Sequence, residues 1–177
     1  VGLGILKNYV QAKAHGGDGF RDIELFNLAL LARQVWRLLQ EPDTLSARVL
    51  KARYYPNTDI LQATLGAHPS QVWRSLPEGR DILELGIIRR IGTGAETHIW
   101  NDNWLSRDYK LRPICPITPN PSQMVSELID PVTRSWNRQV INEHFIVPDW
   151  DVILNIPLST RVQPDFWAWH YEQRGNF

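Results

Sequence analysis

Residues 22–40 read DIELFNLALLARQVWRLLQ, and this stretch decides the fold. Leu25, Leu28, Ala29, Ala32, Val35, Trp36 and Leu39 recur at helical spacing and form one stripe. Asp22 precedes the stripe and is suited to cap the first turn. Ile23, Phe26, Leu30, Leu31 and Leu38 fall outside the stripe. A helix that is apolar on nearly all sides is a buried one. The sequence therefore predicts a central helix over 22–40, with the rest of the chain packed around it.

Working outward, Pro42 and Asp43 are suited to start a second helix, and Pro56 stops it. Leu45, Val49 and Ala52 share one of its faces, and Arg48 and Lys51 share another. Arg33 and Arg37, four apart, project together from the first helix. These cations are suited to line a phosphate-binding groove, and the plain alternative is a solvated face. On the N-terminal side, Gly16, Gly17 and Gly19 around Asp18 read as a turn. They lack the strand, glycine spacing and lysine of a phosphate-cradling loop.

Ser70, after Pro69, caps a third helix reaching about Leu85. Pro77 falls in its middle, where it costs about 3 kcal/mol in a straight helix, so a kink or break is expected near Ser75–Pro77. Ile87–Ile91 and Thr97–Trp100 flank Gly92-Thr93-Gly94 and read as a β-hairpin. Asn101 to Leu105 is a polar turn anchored by Trp104. Pro113, Pro116, Pro119 and Pro121 make 112–122 an extended connector. Val125–Ile129, Trp136–Phe145 and Trp150–Leu154 are short helix candidates, the last ended by Pro157. Phe166–Tyr171 reads as a strand and Gln173 to Asn176 as a turn, with no return strand after it.

The expected fold is mainly α within the α+β class. It is a small helical domain with one internal hairpin and an unpaired C-terminal strand. The expected parts are a loop segment over 1–21, a helical core with hairpin over 22–111, the connector over 112–122, and short helices with the start of a further module over 123–177.

Composition narrows the function classes. Apolar residues make up 43% and charged residues 21% of the 177, as in an ordinary folded domain. Eight Trp need a core or a partner to cover them. Net charge is zero, but residues 1–112 carry 15 Lys and Arg against 12 Asp and Glu, and the remainder carries 4 against 7. That tilt is far from a strongly basic nucleic-acid domain. Cys115 is the only cysteine, so no internal disulfide forms and a four-cysteine zinc site is excluded. No apolar run approaches the roughly 20 residues of a membrane span. The N-terminus carries no signal-peptide pattern, and the only Met is Met124, so the chain reads as an intracellular fragment.

A family pattern runs through these elements. It comprises Gly19-Phe20-Arg21-Asp22-Ile23, Phe26-Asn27, Ala29 to Gln34 and Trp36-Arg37-Leu38, then Arg48 to Pro56. It continues at Pro69-Ser70, Trp73-Arg74-Ser75, Gly79-Arg80, Arg90-Ile91-Gly92, Ile99-Trp100, Asp102 and Trp104-Leu105. The tail adds Trp136, Ile141, Phe145, Ile153-Leu154 and Ile156 to Ser159. This pattern resembles plant LINE-type retrotransposon polyproteins from about Lys13 onward. The resemblance implies a stretch lying after the polymerase fingers, palm and thumb. It also implies a zinc-binding module, and in many members a ribonuclease H domain, beginning near Gly175-Asn176-Phe177. Asp18 stands where the family usually has Leu, Pro77 where it has no proline, and Arg89 where it has Trp. These departures read as drift.

Reverse transcription needs paired Asp residues for two metal ions, and the aromatic-x-Asp-Asp signature is absent. Asp149-Trp150-Asp151 has the wrong spacing, and Asp149 reads as a helix N-cap. No set of four carboxylates matches a ribonuclease H site. His98 and Asp102 flank a strand end, and His15, His68, His144 and His170 are scattered. Cys115 between prolines has no nucleophile motif. Trp167 and Trp169 share one strand face, either stacking bases or awaiting cover by a following domain.

The expectation is a non-catalytic connector of a retroelement polymerase, with no metal and no cofactor. It would guide RNA or DNA by backbone contacts from Arg33, Arg37, Arg48, Lys51 and Arg53. Its other partner would be the rest of the parent polyprotein, and the unpaired strand would promote self-association. The rival expectation is a structural remnant without activity.

Overall fold

The structure is a computed structural model that describes residues 23–159 and 161–171. The expectations for Gly16 to Gly19, the Asp22 cap, the Gln173 to Asn176 turn and the module start at Gly175 lie outside the described residues. Among the described residues, five α-helices and a two-stranded antiparallel sheet make this a small α+β fold, as expected. The chain divides into two units, with the boundary between Gly86 and Ile87. No helix among the described residues is long and apolar enough to cross a membrane.

The first unit holds α1 (Ile23–Gln40), α2 (Leu45–Tyr54) and α3 (Gln71–Glu84). Helix α1 packs along α3. The two backbones approach closely at Gly79, where a Cβ would strike the backbone of Leu31 and Ala32. Ala32 and Val35 are wholly buried. The expectation that α1 is buried on all sides is corrected: Ile23 is 80% exposed, Phe26 50% and Leu30 42%. These three residues fall at i, i+3 and i+7, on the side of the helix away from Ala32 and Val35. One long packing partner covers one face of a helix, and the remaining apolar residues stay open.

Helix α2 starts later than Pro42. Thr44 is its cap, its Oγ1 accepting from the Ala47 N–H at 3.4 Å. Ala47 is buried, while Leu45 and Val49 on the other side are exposed. Ser70 caps α3 by accepting from the Trp73 N–H at 3.2 Å. The helix then runs unbroken through Pro77, against the expected break. Trp73, Leu76, Gly79 and Leu83 are all buried on one face, and that continuous burial holds the helix across the missing hydrogen bond. Trp73 also stacks on Tyr54 at 4.6 Å and Tyr55 at 5.5 Å, which ties the end of α2 to the start of α3. Arg80 donates to the Ala63 carbonyl at 2.6 Å and pins the intervening loop.

The second unit begins with β1 (Ile87–Arg90), which pairs with β2 (Phe166–Trp169) in the register Ile87↔Trp169 to Arg90↔Phe166. Both strand details expected above are therefore corrected. Thr97–Trp100 does not return along β1, and the C-terminal strand is paired. The reason is Asp165. Its buried carboxylate accepts from the Gly92 N–H at 2.7 Å, the Gly94 N–H at 2.8 Å, the Glu96 N–H at 3.1 Å and the Thr97 hydroxyl at 2.7 Å. The Gly-Thr-Gly loop wraps this side chain instead of closing a hairpin. The segment beyond it pairs with residues near Met124, with Ile99 donating to Gln123 and Val125 to Thr97. The expected self-association loses its premise of an unpaired strand. Trp169 is 5% exposed, covered within its own unit.

Few regular elements follow: a 3-10 turn (Val125–Leu128), α4 (Arg138–His144) and α5 (Val147–Leu154). They close over a core of Ile91, Ile99, Trp104, Leu105, Phe145 and Ile153, among others. Trp104 is the expected anchor, its indole donating to the Ile99 carbonyl at 2.9 Å. Residues 112–122 run irregularly but are fastened: Ile117 donates to His144, and the Trp100 indole donates to Ser122. Asp149 is not the N-cap of α5. Pro148 fits the first turn, where no N–H is needed, so the helix starts earlier and Asp149 lies inside it.

Candidate nucleic-acid interface

Helix periodicity places Arg33 and Arg37 on the exposed side of α1, in line with Ile23, Phe26 and Leu30. Arg48 and Lys51 share an exposed face of α2, as three-residue spacing requires. Arg53 lies on another side of α2, about 140° or more around the axis from both. Its guanidinium sits 5.4 Å from the centre of the Tyr54 ring, a cation–π contact. The structure thus brings the five cations together as two same-helix pairs and one residue on an aromatic ring.

All five are exposed, and among the described residues no carboxylate forms an ion pair with any of them. Arg37, Lys51 and Arg53 also occupy last turns, where a cation is favoured by the helix dipole. Between residues 33 and 53 the only acids are Glu41 and Asp43, so the local field is positive although the whole chain is neutral. Hydrogen bonds from Ser70, with a further contribution from Arg53, hold the Tyr54 phenol below its ordinary value of 10.0. Exposed guanidinium and ammonium groups on helix surfaces can contact phosphate oxygens without reading base sequence.

Asp149, Asp102 and His144 have local partners. Asp149 is wholly buried. It accepts from Arg107 Nη1 at 2.6 Å and from the Ile114 N–H at 3.0 Å, while Asp151 is exposed, so the two carboxylates do not converge. Asp102 closes a turn by accepting from the His98 N–H at 2.7 Å. His144 meets Thr118 Oγ1 at 2.9 Å, and Cys115 is exposed. No group of three or more His, Cys, Asp or Glu among the described residues is placed to hold a metal ion. Trp167 carries the Arg89 guanidinium 3.8 Å above its ring.

Sequence reasoning missed the buried Arg107–Asp149 pair, the Asp165 hub and the Arg89–Trp167 stack. An acid next to an apolar helix, as at Asp149, was the available sign of a buried ion pair. Asp165 gave no such sign, since its partners lie about 70 positions away.

No family model matches the chain, and no solved structure matches it. It is 42% identical over 99 residues to the uncharacterized mitochondrial protein AtMg00310 of Arabidopsis thaliana, covering 56% of this chain and 64% of that protein. It is 34% identical over 97 residues to At1g65750 of the same plant, a protein named for ribonuclease H, covering 53% of this chain and 16% of that protein. The chain therefore spans less than two thirds of the length of either curated relative.

Proposed function

We propose that the chain is a non-catalytic connector from a plant retroelement reverse transcriptase, and that it contacts nucleic-acid backbone through α1 and α2. The observation that carries this reading is the set of exposed cations, Arg33, Arg37, Arg48, Lys51 and Arg53, without carboxylate partners among the described residues. The similarity to a small part of a much longer protein named for ribonuclease H supports the connector role. The contacts are electrostatic and sequence-tolerant, because exposed cations on helix surfaces meet phosphate oxygens, which carry no sequence information.

The test is the salt dependence of binding. Fluorescence anisotropy with single-stranded and duplex RNA and DNA should give weak binding that falls steeply as salt rises, since each phosphate contact releases counterions. Replacing Arg48 and Lys51 together by Gln should flatten the slope of log K against log salt by about 2, roughly one per lost contact. An unchanged slope, or no binding at low salt, leaves the chain a structural segment without a nucleic-acid role.

A further inference from the structure

We infer that the second unit carries its own phosphate site, in a cleft lined by its own residues alone. The cleft has a volume of about 430 Å³, within the range of small-ligand sites. Arg89 and Arg90 at the end of β1, Ser106 after the Trp104 turn, and Asp151 and Asn155 on and just after α5 line it, with Trp104 as an apolar wall.

Its charge and hydrogen-bonding capacity select an anion. Arg89 is held in place by the Trp167 ring below it, and its contact with Glu96 is long, at 3.9 Å. Its Nε is buried with no acceptor. Arg90 beside it is half-buried and makes no ion pair or side-chain hydrogen bond among the described residues. The Ser106 hydroxyl, 3.4 Å from His170 Nδ1, is a further donor for an oxyanion. The lining carries two arginines, Arg89 and Arg90, against one carboxylate, Asp151, and is net positive, with Glu96 outside the lining at 3.9 Å from Arg89. Planar guanidiniums bind phosphate oxygens in pairs, and a tetrahedral phosphate offers an oxygen to more than one fork at once.

A phosphate can come from a small phosphorylated compound or from nucleic-acid backbone, and the arms of the experiment separate these. The full chain is titrated with inorganic phosphate, with a nucleoside monophosphate and with a short single-stranded oligonucleotide. The readouts are calorimetry and amide NMR shifts around residues 89–91, 106 and 151–157. Saturable shifts confined to these residues are expected. Arg90→Gln should weaken binding about tenfold or more, the loss of one charge-assisted contact. Asp151→Asn should tighten it, since it removes the opposing carboxylate. Binding of the small compounds alone marks a free phosphorylated ligand, and binding of the oligonucleotide as well marks backbone; either supports the site. If no arm shows saturable shifts at these residues, or if Asp151→Asn leaves binding unchanged and Arg90→Gln does so while folded by circular dichroism, the inference is overturned. The α1 and α2 cations are tested separately by Arg48→Gln with Lys51→Gln, which should leave the cleft shifts intact.

Discussion

The two units reach order by different routes. Residues 23–86 are mostly regular helix, yet several of their large apolar side chains stay exposed, and the wholly buried residues of the longest helix are as small as Ala32 and Val35. Residues 87–171 hold little regular structure, and their order rests on buried acids. Asp165 gathers four donors from one loop, and Asp149 joins Arg107 and the Ile114 backbone. A helix satisfies its own backbone and tolerates a thin core. An irregular chain has to find a partner for each buried N–H and carbonyl, and a carboxylate can accept several at once. The difference makes the first unit sensitive to shape and the second to charge.

The sharpest way to break that contrast is to remove a buried charge. Asp149→Ala leaves the Arg107 guanidinium unpaired in a site where the side chain is 6% exposed, which should cost about 3–5 kcal/mol. Amide hydrogen exchange followed by mass spectrometry should show the loss in peptides from 87–171. Replacing both partners, Arg107→Met with Asp149→Leu, should recover much of it, because no charge is then stranded. A single variant within about 1 kcal/mol of the parent would mean that the pair is solvated and that the second unit is not built on charge.

How much of this could be read in advance follows the same division. Helices α1 and α3 and the end of α2 were legible because their signals are local: the 3.6-residue period, Ser70 as cap of α3, Pro56 as stop of α2. Exposure of Ile23 and Phe26 was not, since burial depends on how many neighbours a helix has, and period does not report that. The two observed strands fall within expected ones, but their pairing differs from the expectation, and Thr97–Trp100, expected as a third, is not a strand. Gly92-Thr93-Gly94 is a short-range hairpin signal, and it was overridden by Asp165, whose role depends on closing a long loop. The cations of α1 and α2 were legible as residue types at helical spacing. The cleft in the second unit was not, because Arg89 and Arg90 come to line one cleft with Asn155 only after the chain has folded back.

A smaller effect tests the shape-sensitive side. Gly79→Ala adds a methyl that meets the backbone of Leu31 and Ala32, so α1 has to move off α3. Alanine favours the helix by about 1 kcal/mol over glycine, but overpacking costs about 1–3 kcal/mol, and here the opposing atoms are backbone that cannot rotate away. A net loss of about 1–2 kcal/mol is expected, read as faster exchange in α1 and α3 peptides. Gly66 serves as a contrast. Nothing lies within 4 Å of its added Cβ, and its φ of +69° alone disfavours alanine. If Gly79→Ala is neutral, the close helix approach does not set the geometry of the first unit.

The smallest effect separates the units by sign. His170 is half-buried, and burial first, then Arg90, lowers its pKa from the ordinary 6.5, with Asp108 opposing. The folded state then binds fewer protons than the unfolded chain, so stability falls as pH falls. The contribution is complete above pH 6.5 and is lost as pH drops through the lower folded value. Glu84 in the first unit runs the other way. Burial raises its pKa above 4.5, with Arg80 opposing and Asp81 assisting, so the folded state binds more protons than the unfolded one. Its contribution is present below 4.5 and is lost as pH rises through the raised folded value. Acidification therefore weakens the second unit through His170 and relieves the first through Glu84. Exchange rates, corrected for intrinsic chemistry and measured from pH 7.5 down to 4.5, should show protection falling in 87–171 while it holds or rises near Glu84. His170→Gln should remove the first trend and leave the second. Equal pH profiles in the two units, or a profile untouched by His170→Gln, would show that other titrations dominate and that the charge dependence of the second unit lies elsewhere.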